Sequence, residues 1–237
     1  MSFYKSISEQ YDAIFPVDAA EMAFAGKLLE GRRKILDIGC GTGNKTVHLK
    51  NSHNEIIAVD GDETMIERAR HDNARPGITY EVMDMRHICE SFAAETFDAA
   101  LCLGNTLAHL PSPREIADML RETALLLNNA GVCVIQILNY DRILKNKVRE
   151  LPVLEAERFR FSRFYDWKDG EMLFVTELFL KDSGKTVKNS VPLYPLRKAE
   201  LDSALTAAGF SRVDYFGSYS GEALAENSFV LIAAAYK

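Results

Sequence analysis

Residues 34–44 read Lys34-Ile35-Leu36-Asp37-Ile38-Gly39-Cys40-Gly41-Thr42-Gly43-Asn44. A short apolar run carries one acid near its end and then meets three glycines spaced two apart, a pattern that predicts a buried strand feeding a tight turn. Roughly 20 residues on, a second apolar run, Ile56-Ile57-Ala58-Val59, ends at Asp60. Glycines let the backbone turn sharply and leave bare peptide groups open to a ligand. A carboxylate at the tip of the next strand can accept hydrogen bonds from both ribose hydroxyls. The pairing predicts a site for a nucleoside-bearing cofactor. A dinucleotide fingerprint needs its third glycine one residue later, where this chain has Asn44.

The rest of the chain bounds the reading. Its 237 residues are enough for one well-filled core, and a doubly wound sheet of this length commonly stays a single domain. Hydrophobic residues at 47% and charged ones at 26% fit an ordinary soluble globule. A net charge of −6 argues against an extended nucleic-acid surface, because that affinity comes from clustered Lys and Arg. Cys40, Cys89, Cys102 and Cys133 lie far apart without a C-x-x-C, which predicts reduced thiols in a cytoplasmic protein. His48, His53, His71 and His87 have no partner at ligand spacing, so no metal site is expected. The opening Met1-Ser2-Phe3-Tyr4-Lys5-Ser6 lacks an apolar export core, and no apolar run approaches a membrane span.

Helical spacing is expected over residues 18–29, 42–50, 64–73 and 197–208, the last stopped by Gly209. Strands are expected at 34–38, 55–60, 78–83, 97–103 and 132–138, each ending in a polar or glycine-bearing loop. Beyond Pro152 the pattern changes. Residues 158–167 alternate charge and ring, and 172–181 and 186–194 read as strands around the turn Asp182-Ser183-Gly184-Lys185. The expected organisation is one domain of four parts: a helical cap (1–30), a cofactor-binding core (31–151), an antiparallel insertion on the substrate side (152–195), and the end of the core sheet (196–237), where 212–216 and 229–236 form a hairpin.

In an open parallel sheet, ligands gather beyond the carboxyl ends of the strands. Asp84 and Met85 occupy the third such tip, with Gly61 and Met65 beyond the second. The other reading of Asp84, after a ligand contact, is a cap for the following turn; Met85 reads equally either way, and Met65 equally as core. The fourth tip is the run Leu101-Cys102-Leu103-Gly104-Asn105-Thr106-Leu107-Ala108-His109-Leu110. His109 reads either as chemistry or as a helix-start histidine bonded to backbone.

The glycine loop and its acid-tipped neighbour resemble motif I of the class I S-adenosylmethionine-dependent methyltransferases. That resemblance implies an α/β, Rossmann-like doubly wound sheet of seven strands, the last antiparallel. It also implies S-adenosyl-L-methionine as cofactor. Asp37 and the loop Gly39-Cys40-Gly41 with Gly43 would flank its methionine part, Asp60 and Gly61 its ribose, and Met65, Asp84 and Met85 its adenine. The run from Cys102 to Leu110, and Asn139-Tyr140-Asp141 followed by Ile143-Leu144, resemble the glycine N-methyltransferase family. Carried across, Gly104 and Asn105 border the substrate, Leu103 contacts the cofactor, and His109 sits by the reacting centre. Tyr4 and Tyr11, flanking residues 6–10, resemble a Tyr-bearing flap. Tyr11 would shield the methyl group and fix the substrate, although aromatic anchoring of an N-terminal helix reads the same.

One departure stands out. Members of that family that methylate glycine carry an arginine just before Asn-Tyr-Asp, and this chain has Leu138. A guanidinium makes a bidentate, charge-assisted grip on a carboxylate that leucine cannot imitate, which counts against glycine and sarcosine as acceptors. Arg142, Arg158, Arg160 and Arg163 are possible replacements, and solvated surface is their other reading. Phe159, Phe161, Phe164, Tyr165 and Trp167 either wall an apolar pocket or only pack the added strands. The expected reaction is methyl transfer to a nitrogen, or second to an oxygen, of a small amine or amino-acid-like acceptor, with no nucleic acid or membrane involved. The rival readings are an NAD-dependent oxidoreductase, a non-catalytic module binding S-adenosylmethionine or S-adenosylhomocysteine, and an aminopropyl transferase, whose paired acids are missing at Leu103 and Gly104.

Overall fold

The computed structural model describes residues 7–237, so Tyr4 lies outside the described residues. After a short helix α1 (Tyr11–Ile14) and α2 (Ala19–Leu28), the chain alternates β1 (Lys34–Ile38), α3 (Thr46–Leu49), β2 (Glu55–Asp60), α4 (Glu63–Asp72) and β3 (Ile78–Val82). β4 (Phe97–Cys102), α5 (Pro113–Leu126), β5 (Leu127–Leu138) and α6 (Tyr140–Lys145) follow. The seven-stranded sheet runs β10-β11-β5-β4-β1-β2-β3, where β10 is Arg212–Phe216 and β11 is Val230–Tyr236. β11 is antiparallel to both its neighbours. The fold is therefore the Rossmann-like one that the sequence implied.

Period-two alternation divides the core. Leu36 and Ile38 of β1 join Leu120 of α5 and Leu201 of α7 (Lys198–Ala207) on one face, while Ile35 joins Met22 of α2 and Ile66 of α4 on the other. The helices are capped by their own sequence. Asp18 accepts from the N–H of Ala20 at 2.7 Å, Asp62 from Thr64 at 3.0 Å, and Ser112 from Glu115 at 3.2 Å ahead of Pro113.

Helix α3 is shorter than the spacing predicts, Thr46–Leu49 in place of 42–50. Gly41 and Gly43 hold φ at +58° and +73°, which a right-handed helix cannot include, so the chain stays in turns until Lys45. β5 begins at Leu127, five residues before the expected start, because a register shift against β4 lets it pair early.

Residues 150–193 build a second, antiparallel sheet in the order β6 (Glu150–Glu155), β7 (Phe159–Lys168), β8 (Glu171–Leu180), β9 (Lys185–Leu193). The expected insertion, 152–195, overlaps most of this sheet, but no strand was expected at β6. Pro152 reads against a strand, but β6 is an edge, where a missing N–H is tolerated; Pro192 lies in the other edge. The sheet is tied to the β4 tip by the Tyr194 N–H donating to the Ala108 carbonyl at 2.8 Å. Its face also buries Ile7 and Ile14 against Phe159, Phe161 and Leu178. Burying each such side chain stabilises by about 1.5–3 kcal/mol, so the N-terminal segment is fastened to the second sheet. Among the described residues no helix is long and apolar enough to cross a membrane.

Candidate active site

A cleft of about 900 Å³ opens at the carboxyl ends of β1, β2, β4 and β5 and is closed on one side by the second sheet. Its floor is the glycine loop. The N–H groups of Gly39 and Cys40 both donate to the Val59 carbonyl, at 2.8 and 3.0 Å, which draws the loop onto β2. Gly39, Cys40 and Gly41 line the cleft, but Gly43 faces away from it. A Cβ on Gly43 would stand 2.6 Å from the Tyr80 ring, so this glycine serves close packing behind the loop.

Two buried acids flank the loop. Asp37 accepts from the Thr46 hydroxyl at 2.6 Å, and burial pushes its carboxyl up to about 6. Asp60 accepts from the Gly41 N–H with one oxygen and from the Asp62 N–H with the other, each at 2.9 Å. Burial raises its carboxyl too, and the Asp62 charge adds to that while the two N–H groups oppose it. Lys45 stands nearby but is paired with the buried Glu21 at 2.7 Å. The floor therefore holds buried negative charge that a cation-bearing nucleoside would relieve. Gly61 and Met65 continue this wall.

At the third tip, Asp84 has two structural roles. It lines the cleft beside Met85, and it caps the following turn by accepting from the Arg86 N–H at 2.9 Å. The Arg86 guanidinium beside it holds its carboxyl below the usual range. Met65 is likewise both: it is 1% exposed in the core and forms part of the cleft wall.

At the fourth tip, Leu103, Gly104, Asn105 and His109 all reach the cleft. Asn105 sits in the left-handed region at φ +68°, and its amide is engaged on both sides. Its nitrogen donates to the Tyr140 hydroxyl at 2.9 Å, and its oxygen accepts from the Leu138 N–H at 3.0 Å. Asn105 thus ties the β4 tip to the β5 tip. Burial lowers the His109 imidazole to about 4, so the ring is neutral at ordinary pH. Tyr11 lines the cleft opposite, with its hydroxyl 3.3 Å from where a Cβ on Gly41 would lie, and burial beside Asp60 pushes its phenol up. Its ring packs on Phe15 at 5.1 Å, and Phe15 meets Phe161 edge-on at 5.9 Å.

Sequence reasoning missed three contributors. Gln136 is 5% exposed and accepts the Gly104 N–H at 2.8 Å, fixing the tip from the neighbouring strand. Lys45 and Tyr219 line the cleft beside Glu21. Only Gln136 left a signal, a lone polar residue in the otherwise apolar run 132–138. Of the four candidate arginines, Arg163 alone lines the cleft. Arg142 stacks over Phe229 at 5.5 Å, Arg158 pairs with Asp182, and Arg160 with Glu155. Among the aromatic residues of the second sheet, Tyr165 and Phe174 reach the cleft, while Phe159 and Phe161 pack the N-terminal segment.

A doubly wound sheet with this strand order, a glycine loop after β1 and an acid at the end of β2 define a Rossmann-like, nucleoside-binding fold. The chain is similar to the class I S-adenosylmethionine-dependent methyltransferases, and its cofactor is S-adenosylmethionine. A family profile described as a methyltransferase domain matches residues 35–131. The glycine/sarcosine N-methyltransferase of Parasynechococcus marenigrum (strain WH8102) is 27% identical over 233 residues, covering 92% of this chain and 78% of that protein. Glycine N-methyltransferase of Oryctolagus cuniculus is 31% identical over 128 residues, 48% of this chain and 43% of that one. In fold, an S-adenosylmethionine-dependent methyltransferase from Clostridium acetobutylicum ATCC 824 superposes with a TM-score of 0.81 at 16% identity, over 99% of each chain. The oxidoreductase and non-catalytic readings are not favoured.

Proposed function

We propose that the chain methylates nitrogen in a small molecule, an amine or amino-acid-like acceptor, from S-adenosylmethionine. The observation that carries nitrogen over oxygen is the state of His109. A hydroxyl acceptor needs a base to take its proton, and an imidazole held at about 4 is a feeble one. A neutral amine needs only its lone pair. The cofactor supplies an activated methyl group on sulfur; the protein's work is to hold the acceptor in line with it and exclude water, which in the best intramolecular models is worth about 7–11 kcal/mol.

In this reading Asp37 and the Gly39-Cys40-Gly41 loop hold the methionine end, Asp60 and Gly61 the ribose, and Met65, Asp84 and Met85 the adenine, with Gly43 supporting from behind. Leu103 and Gly104 border the methyl group, where Tyr11 and His109 face the acceptor. Asn105 acts as a positioning residue through its ties to Tyr140 and Leu138. The cap shields the cofactor, and residues 150–193 supply acceptor selectivity. The kind of acceptor in the relatives, glycine and sarcosine by name, supports a small amine.

The test is a screen of matched amines and alcohols with methyl-labelled cofactor. Transfer to amines is expected, with a rate that rises with pH as the acceptor itself loses its proton. Replacing His109 with Gln is expected to lower kcat about 10–100-fold through loss of acceptor positioning, while leaving S-adenosylhomocysteine affinity intact. Transfer confined to hydroxyls would overturn the reading.

A further inference from the structure

Four buried side-chain polar atoms have no hydrogen-bond partner among the described residues: Glu115 Oε2, Arg163 Nε, Tyr165 Oη and Thr176 Oγ1. Three of them cluster on the second sheet. Arg163 and Tyr165 are two apart on β7 and so share a face, and Thr176 is the direct cross-strand partner of Arg163 on β8. Tyr165 is 2% exposed and Thr176 1%. An unpartnered buried polar atom costs about 1–3 kcal/mol, and native folds keep few of them. Phe161 and Leu178, further along the same face, show that apolar side chains serve where only packing is needed.

Arg163 and Tyr165 both line the cleft, and Arg163 is held there by Nη2 donating to the Pro152 carbonyl at 2.7 Å. Arg158 and Arg160, its neighbours on or beside the strand, pair with acids; Arg163 has no ion pair among the described residues. The cleft is consequently polarised. Asp37, Asp60 and Asp84 line it from the tips of β1, β2 and β3, and a guanidinium without an ion pair among the described residues lines it from the second sheet with a phenol hydroxyl.

Building on the methyltransferase reading, we propose that Arg163 and Tyr165 form a carboxylate-binding subsite, and that the acceptor is an amine bearing a carboxylate. The guanidinium Nε–H and the phenol O–H are donors, and a carboxylate supplies only acceptors, which satisfies both at once. Held there by its acid, the acceptor presents its nitrogen toward the β4 tip. A simple amine or a neutral sugar leaves Arg163 unmatched.

The test uses acetate as the probe, titrated into the protein saturated with S-adenosylhomocysteine, with ethylammonium and inorganic phosphate as controls. A ligand this small is expected to bind at about 1–100 mM. The variant Arg163→Met is expected to weaken acetate about tenfold or more. Tyr165→Phe is expected to weaken it about threefold while its thermal midpoint equals or exceeds that of the parent, since the hydroxyl has no internal partner to lose. Acetate that fails to bind the parent, or binds both variants as well as the parent, overturns the proposal. Preference for phosphate or ethylammonium overturns the carboxylate assignment. Failure of the parent to bind S-adenosylhomocysteine breaks the methyltransferase reading instead, and acetate titrated alone still reads the subsite.

Discussion

Oδ2 of Asp60, at the end of β2, accepts the backbone N–H of Gly41 at 2.9 Å, so the acid of the second strand sets the shape of the glycine loop after the first. The two halves of the cofactor motif, 19 residues apart in sequence, are one hydrogen-bonded unit in space. A carboxylate offers about four lone-pair sites, so holding two N–H groups leaves capacity for a ligand's hydroxyls.

Asp60→Asn is expected to lower affinity for S-adenosylhomocysteine about 10–100-fold, the loss of charge-assisted hydrogen bonds worth about 1.5–3 kcal/mol. Calorimetric titration measures it. Unchanged affinity would remove Asp60 from the site.

Acid stability should separate Asp37 from His109. Folding raises Asp37 from 3.8 to about 6, so as pH climbs through that interval the unfolded chain has released a proton the fold retains, and this contribution to stability is lost. Folding lowers His109 from 6.5 to about 4, so its contribution is present above 6.5 and is lost as pH falls toward 4. The two slopes oppose each other, each on the order of 3 kcal/mol. Between pH 6.5 and 4, Asp37→Asn is therefore expected to lose more stability than the parent, and His109→Gln less, by denaturant unfolding at stepped pH. Parallel curves for all three proteins would refute both assignments.

Two glycines in the cleft should respond differently. A Cβ on Gly39 falls 2.3 Å from Thr106 Cγ2 on a backbone at φ +75°, so Gly39→Ala is expected to cost about 2–4 kcal/mol of stability. On Gly61 the nearest atom is the Met83 carbonyl oxygen at 3.9 Å, so Gly61→Ala should leave the thermal midpoint nearly unchanged while weakening cofactor binding. Similar destabilisation of both would mean that the loop at Gly39 adapts to a side chain.

The convergence of the glycine loop and the strand-tip acids on one cleft was legible because its signals are local. An acid-tipped apolar run and positive-φ glycines follow from the backbone freedom of a few adjacent residues. The length of α3 was misjudged because apolar spacing was read through Gly43, whose φ of +73° ends the helical option. The sequence puts Asn105 at the substrate edge of the cleft, and only the fold shows its amide also bound to Tyr140, 35 residues away.

Residue order by itself determined most of the strands, the glycine turn and the acids at the strand tips, since periodicity and φ preference act over a few residues. It also put Phe161, Arg163 and Tyr165 on one face of β7, because side chains alternate along any strand. Which core that face meets was decided only by tertiary structure. The second sheet packs its Phe161 end on the N-terminal segment and turns Arg163 and Tyr165 into the cleft. That choice depends on contacts between segments more than 100 residues apart, whose complementarity no local pattern encodes.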